Sequence, residues 1–187
     1  YFNSFNNSKF TSVNHVVTTI KKDISSSIEA VVEVNMYLLD ELKTLEIQSN
    51  FNGECIDGLD VTCDIYHVHP NFLQTHDDWV EETLYSNLLK SNCLITSQPD
   101  WASVQICYKG KKIDRQGLLK YIVSFRNHNE FHEQCIERIF IDIMQYCQPE
   151  MLSVYGRYTR RGGIDINPYR TSKKTSSVGK NFRLVRQ

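Results

Sequence analysis

The chain has 187 residues, of which 41% are hydrophobic and 23% are charged, which suits a globular protein of one or two domains. A net charge of -1 gives no bulk attraction to nucleic acid or to an anionic membrane, so neither is expected as a partner. The apolar runs fall far short of the roughly 20 residues that cross a bilayer. No charged-then-apolar leader indicates export, and the expected location is the cytoplasm.

The six cysteines are spread along the chain: Cys55, Cys63, Cys93, Cys107, Cys135 and Cys147. They form no C-x-x-C pair and no zinc-finger spacing, so no metal site is predicted, and most are interpreted as reduced core thiols. The histidines at 67, 69 and 76 have no carboxylate or cysteine at a fixed helical offset. A solvated loop is therefore favoured for them over a metal site.

The first 80 residues give a weaker pattern than the rest. The predicted elements are a helix at 12–27 capped by Thr11 or Ser12, a strand at 28–39, a turn-rich stretch at 44–57, a strand at 59–66 and an irregular connection at 67–80. We interpret residues 1–80 as the remainder of an N-terminal module and its connection.

Residues 81–187 give a sharper pattern and are predicted to form the C-terminal catalytic module. The predicted elements are a strand at 82–89, a turn around Cys93, a strand at 101–110, a helix capped by Asp114, a helix from about Glu130, a strand at 151–160, an RGG turn, an extended segment at 164–170 and a mobile polar tail at 171–182. This order predicts an α+β fold, an antiparallel sheet with two helices packed on one face.

Three features of the second half indicate chemistry. Cys93 lies in the polar turn SNCLITSQPDW, and Asp100 follows it where the next strand begins. His132 and Glu133 open the second helix, where backbone N–H groups are free to bind ligands. Each residue also has a plain structural interpretation, as a core thiol, a turn residue or a first-turn carboxylate. Together they are the minimum set for addition of a thiol to an electrophile.

Four long strings carry a family resemblance: LLKSNCLITSQPDW, SFRNHNEFHEQC, LSVYGRYTRRGGIDINP and the terminal RLVRQ. They resemble the C-terminal half of the long, two-module QueF-type 7-cyano-7-deazaguanine reductases. The resemblance implies a tunnelling fold (T-fold) with a partial second module, assembly as a homodimer, and an NADPH-dependent nitrile reductase of queuosine tRNA modification. Its small-molecule substrate would be 7-cyano-7-deazaguanine, and two NADPH would reduce it to the aminomethyl product.

The resemblance also implies residue roles. Cys93 matches the thiol that forms a covalent thioimide with the nitrile, and Asp100 matches the proton donor. His132 and Glu133 match the pair that lines the deazaguanine pocket. Arg161 and Gly162 match a turn that contacts NADPH, where a guanidinium suits a cofactor phosphate.

The chain departs from the family pattern at its start. A motif of the form E-S-K-S-x-K normally precedes YFNSFN, whereas this sequence begins at Tyr1. We therefore expect a truncated chain in which part of both binding sites is missing. Cys135 lies two residues after Glu133, which suggests a reversible disulfide between Cys93 and Cys135.

Three alternatives stay open at the level of the sequence. The first is a zinc-dependent GTP cyclohydrolase-like hydrolase on the same fold, which would need a metal-binding set of cysteines and histidine. The second is a non-catalytic T-fold module that pairs with a missing half. From the residues alone, a different thiol enzyme, such as an amidinotransferase or a hydrolase, is also open.

Overall fold

A computed structural model describes residues 1–41, 46–173 and 181–187. The chain divides into two compact units, Tyr1–Leu45 and Glu46–Gln187. In the first unit, helix α1 spans Val13–Ile28, and Ser12 caps it by accepting a 3.1 Å hydrogen bond from the backbone N–H of His15. The predicted helix and its Ser12 cap are confirmed.

The predicted strand at 28–39 is wrong. The helix runs to Ile28 and ends at Glu29 in a left-handed conformation, and residues 30–39 contain no strand. Val31 and Leu39 are each 92% exposed. A run of β-branched residues forms a strand only where a neighbouring strand and a buried face receive it, and within this unit neither is present in the described residues.

The described residues of the second unit contain seven strands. They are β1 (Ile47–Gln48), β2 (Glu54–Cys55), β3 (Thr75–Asn92), β4 (Pro99–Ile113), β5 (Met151–Tyr158), β6 (Tyr169–Thr171) and β7 (Arg183–Leu184). The main sheet has the order β2-β3-β4-β5-β6, in which only β2 and β3 are parallel. Strands β1 and β7 form a separate parallel pair.

Two helices cover one face of this sheet, as predicted. Helix α2 spans Arg115–Val123, and Asp114 caps it through a 2.9 Å hydrogen bond from the backbone N–H of Gly117. Helix α3 spans His132–Cys147 and packs closely on β5. A Cβ atom on Gly156 would lie 2.6 Å from Ile136 of α3, so only glycine allows this approach. The α+β class is confirmed.

A register shift in β3 changes which residues face the helices. Ser86 pairs with Val104, whereas Leu89 pairs with Ala102, so β3 holds one more residue than β4 in this interval. Asp57 stabilises the bulge by accepting hydrogen bonds from the Ser86 hydroxyl at 2.6 Å and from the Asn87 backbone N–H at 2.9 Å. After the bulge, the odd-numbered residues of β3 face the helices.

The opposite face of the sheet carries a smaller aromatic cluster of Phe51, Tyr85, Tyr155 and Leu184. Arg157 is 1% exposed beside it and is held by neutral acceptors only. Its guanidinium donates to the Tyr155 hydroxyl, the Phe182 carbonyl, and the Asn181 and Gln187 side chains. Arg157 thereby fixes the C-terminal residues on this face.

Other predictions for the first 80 residues differ from the structure. Residues 59–66 contain no strand, and the short β2 lies instead in the stretch that was predicted to be turns. The irregular connection was predicted to reach residue 80, but β3 begins at Thr75 because its first residues pair with the far end of β4. The predicted module boundary thus falls inside a continuous strand, and the modular division stays a prediction.

The end of the chain is described only in part. The predicted mobile tail at 171–182 includes residues 174–180, which lie outside the described residues. Residues 183–184, which follow this tail, form β7. No helix in the described part of the chain is long and apolar enough to cross a membrane.

Candidate active site

Cys93 lies in a closed turn between β3 and β4. Its backbone N–H donates to the Gln98 carbonyl at 2.8 Å, and its carbonyl accepts from the Ser97 N–H at 2.9 Å. The strand pairing of Asn92 with Pro99 fixes both ends of this turn. The Cys93 side chain is 9% exposed, which leaves the sulfur shielded but reachable.

The turn stabilises the thiolate form of Cys93. The Thr96 hydroxyl is the main donor to the sulfur, and the backbone N–H groups of Thr96 and Ile95 and the side chain of Arg161 add to it. These donors outweigh the opposing effect of burial and lower the pKa of Cys93 from 9.0 to about 7. Since a thiolate is the nucleophilic form of cysteine, the turn prepares Cys93 for attack near neutral pH.

Asp100 is the buried carboxylate of the site, and the side chains of Arg161 and His132 contact it. It is 3% exposed. Its Oδ1 lies 2.5 Å from Nη2 of Arg161 and 3.1 Å from Nε2 of His132. The contact with Arg161 is the shorter of the two, and the His132 nitrogen is not aligned as a hydrogen bond.

The start of α3 is tied to the end of β3, which brings His132 to Asp100. The Asn92 backbone N–H donates to the His128 carbonyl at 2.8 Å, and the Asn92 carbonyl accepts from the Glu130 N–H at 3.1 Å. The ring of His132 packs on Tyr158 with centroids 4.1 Å apart. A backbone bridge and a ring contact therefore fix the imidazole before any ligand binds.

Arg161 reaches the site from a tight turn after β5. Its backbone pairs with Ile164, while Gly162 and Gly163 between them have φ values of +55° and +85°. These left-handed conformations favour glycine. The space around the Gly162 α-carbon is open, so the glycine is required for the turn and not for close packing.

The structure thus brings together four of the six predicted site residues: Cys93, Asp100, His132 and Arg161. Glu133 is exposed and lines a groove of about 460 Å³ along α3, with Glu130, Glu137 and Arg170 among its neighbours. Gly162 lies beside Arg161 in the turn. The roles assigned to these residues stay predictions.

Two features of the site were not predicted from the sequence. Thr96 is the main donor to the Cys93 sulfur, and its only sequence signal is its place three residues later in a polar turn. Arg161 contacts Asp100 and Cys93, whereas the sequence suggested only a cofactor phosphate as its partner. A contact between residues so far apart in sequence leaves no local pattern.

Cys135 differs sharply from Cys93. It is fully buried in α3, and burial raises its pKa to about 12. All six cysteines are free thiols in this structure. Within the described residues, no group of three or more histidine, cysteine, aspartate or glutamate side chains is placed to hold a metal ion.

Comparisons with known proteins find close relatives. A family model described as "QueF-like protein" matches residues 99–177. The NADPH-dependent 7-cyano-7-deazaguanine reductases of Legionella pneumophila strains Paris and Corby are 63% and 62% identical over the whole chain. The chain spans 66% of their length, just under two thirds.

A solved structure is similar at a lower level. It is the crystal structure of the archaeosine synthase QueF-Like in the apo form, which is 16% identical, with a TM-score of 0.45. The match covers 52% of this chain and 96% of that one.

Proposed function

We propose that this chain is a member of the QueF family, whose model matches residues 99–177, and that it carries the reacting groups of an NADPH-dependent reductase that converts 7-cyano-7-deazaguanine to 7-aminomethyl-7-deazaguanine. The observation that supports this most directly is the Cys93 turn, which lowers the pKa of a shielded thiol to about 7. A buried carboxylate lies in the same cluster. The reaction would contribute to queuosine tRNA modification.

The first step is addition of Cys93 to the nitrile. The thiolate attacks the nitrile carbon, a carbon–sulfur bond forms, and one carbon–nitrogen π bond becomes a lone pair on nitrogen. That nitrogen takes a proton, which gives a neutral thioimide, and Asp100 is the group proposed to deliver it. The proton lost by the Cys93 thiol balances the proton gained by nitrogen.

Two reductions complete the conversion. NADPH, when bound, would supply the hydride for each reduction, and the medium would supply a proton. After the first reduction the carbon–sulfur bond breaks and Cys93 leaves as a thiolate, because a stabilised thiolate is a good leaving group. The second reduction turns the imine into the amine, so that two NADPH and two protons are used for each nitrile.

His132 and Glu133 are the proposed substrate-binding pair. His132 faces Asp100, whereas Glu133 is exposed on the outer side of the first turn of α3. A carboxylate there can accept hydrogen bonds from the N–H edge of a guanine-like ring. A substrate analogue without these N–H donors would leave the Glu133 carboxylate unpaired and would be rejected.

Arg161 and Gly162 remain proposed for the turn that contacts NADPH. In this structure Nη2 of Arg161 is engaged by Asp100, so a cofactor phosphate would share a guanidinium that already serves the reacting centre. Arg161 is one third exposed, and this exposed part is available to a ligand. The family resemblance also suggests a homodimer in the cytoplasm. Sedimentation of the purified protein measures its oligomeric state.

The test is an intact-mass spectrum after mixing the protein with 7-cyano-7-deazaguanine in the absence of NADPH. We expect an adduct with the full mass of the substrate on the wild-type chain and none on Cys93→Ala. A version extended to the length of the Legionella relatives serves as a parallel sample.

If the adduct forms only on the extended version, the nucleophile is confirmed and the added region completes the pocket. If neither version forms an adduct, the nitrile addition is wrong. A non-catalytic pairing module would then be the better interpretation.

A further inference from the structure

An exposed tryptophan lies between two cavities that are lined by cations. Trp101 is 45% exposed. One adjoining cavity, of about 260 Å³, includes Arg157 and Arg186, and the other, of about 330 Å³, includes Lys90 and Arg126. We call these five residues the Trp101 surface.

The four cations of this surface have no carboxylate partner in the described part of the chain. None of them takes part in an ion pair, whereas Lys109, Lys111, Arg115 and Arg138 of the same unit each do. The undescribed residues 42–45 and 174–180 contain no acidic side chain. Asp165 acts on Arg157 only at longer range and is contacted by Arg160 and Arg183. Positive charge is therefore concentrated here in a chain whose net charge is -1.

Neutral groups satisfy these cations only in part. Lys90 donates to the Asn92 side chain and to the Arg126 carbonyl, each at 2.6 Å. The Nε atoms of Arg126 and Arg157 are buried and have no hydrogen-bond partner. A buried charge that lacks both a counter-ion and a full set of acceptors is costly, and a bound anion would offset that cost.

The Trp101 surface lies at the end of the sheet that holds the candidate active site. Trp101 directly follows Asp100 in β4. The Trp101 carbonyl accepts a 2.9 Å hydrogen bond from the backbone N–H of Thr159, which lies two residues before Arg161. Lys90 pairs with Trp101 across β3 and β4, shortly before Cys93. Trp101 and Lys90 lie on the opposite face of the sheet from Asp100, so a ligand as long as a dinucleotide would have to pass around the end of β3 and β4 to reach Cys93.

We propose that the Trp101 surface binds a nucleotide, with its aromatic ring stacked on Trp101 and its phosphates held by the surrounding cations. Indole faces stack on nucleotide bases, and arginine binds phosphate oxygens with directed hydrogen bonds. The identification of this nucleotide with the NADPH of the proposed reductase rests on the proposed function. The binding of a phosphorylated aromatic ligand does not.

The chain has two tryptophans, which provides a direct test. Trp79→Phe removes the other one, so the remaining fluorescence reports on Trp101. We expect saturable quenching when NADP⁺ or ADP is added to this variant, and weaker binding at higher salt because the contacts are ionic. NADP⁺ is used since its absorption does not overlap tryptophan emission.

Charge variants in the Trp79→Phe background locate the site. We expect Arg126→Gln combined with Arg186→Gln to weaken NADP⁺ binding roughly tenfold or more, the loss of a charge-assisted hydrogen bond. Lys111→Gln combined with Lys112→Gln, an equal change of charge at the far end of β4, is the Lys112 control and should bind as before. Circular dichroism of each variant checks that the fold is retained.

Two results would overturn the proposal. One is the absence of quenching and of calorimetric binding at millimolar nucleotide; the other is an equal effect of the Lys112 control and the double variant. Binding of inorganic pyrophosphate that displaces NADP⁺ without any quenching by NADP⁺ would remove the stacking role of Trp101. The nitrile adduct on Cys93 needs no nucleotide, so it tests the proposed reductase separately.

Discussion

Thr96 should control the reactivity of Cys93. Its hydroxyl is the main donor to the sulfur, and the turn lowers the pKa of Cys93 to about 7. Thr96→Val keeps the shape of the side chain and removes this donor. We expect the pKa of Cys93 to rise towards its ordinary value of 9.0, because the thiolate loses its strongest stabilising contact.

The size of the effect follows from the fraction of thiolate. At pH 7 a thiol with a pKa of about 7 is about half ionised, and a rise of about one unit leaves about one tenth. Alkylation of Cys93 by iodoacetamide should therefore be about fivefold slower at pH 7 in Thr96→Val. Above pH 9.5 or so, where both thiols are ionised, the two rates should converge.

The assay is the rate of Cys93 alkylation between pH 5 and about 10, followed by mass spectrometry of its peptide. Ser97→Ala is the matched control, since the Ser97 hydroxyl accepts from Asn129. The same shift should appear in stability. A folded pKa below the unfolded one stabilises the fold fully above the unfolded value, and this contribution is lost as pH falls towards 7. Superimposable pH–rate profiles for Thr96→Val and wild type would refute the role of Thr96.

Two further predictions concern the groups around Cys93. Arg161→Gln should destabilise the fold by about 1–3 kcal/mol in urea titrations, because it leaves the buried Asp100 without its cation. Arg160→Gln removes an exposed ion pair and should lower the free energy of unfolding by less than about 1 kcal/mol. Equal losses of stability in the two variants would contradict this. In native protein, iodoacetamide should label Cys93 and spare Cys135. The predicted disulfide is tested separately: after mild oxidation and unfolding, neither Cys93 nor Cys135 should be alkylated, and free alkylation of both thiols would exclude the disulfide.

Sequence reasoning succeeded where the deciding signals are local. The apolar stripe Ile136, Ile139 and Ile143 predicted α3, and these residues are fully buried. Asp114 predicted the start of α2, and its side chain accepts the capping hydrogen bond. Periodicity and capping depend on residues a few positions apart, so they can be read from one sequence.

It failed where structure depends on distant partners. Strand β2 has two residues, and it exists only because Glu54 and Cys55 pair with Leu84 and Tyr85 of β3. The β-branched run at 28–39 has the composition of a strand, but the described residues of its unit include no partner strand for it. In the site, the contact of Arg161 with Asp100 was missed for the same reason.

The bulge in β3 has a consequence for how this sequence can change. Side chains on a strand alternate between faces, and the bulge accommodates one residue more in β3 than in β4 between Ser86 and Leu89, while Ser91 lies opposite Asp100 beyond it. Deleting Leu88 would remove the bulge and leave a regular ladder in which Leu89 still pairs with Ala102 and Ser91 with Asp100, so the side chains that lead to Cys93 would keep their faces. The bulge is therefore a place in β3 where evolution can remove one residue without reversing the side chains next to the site.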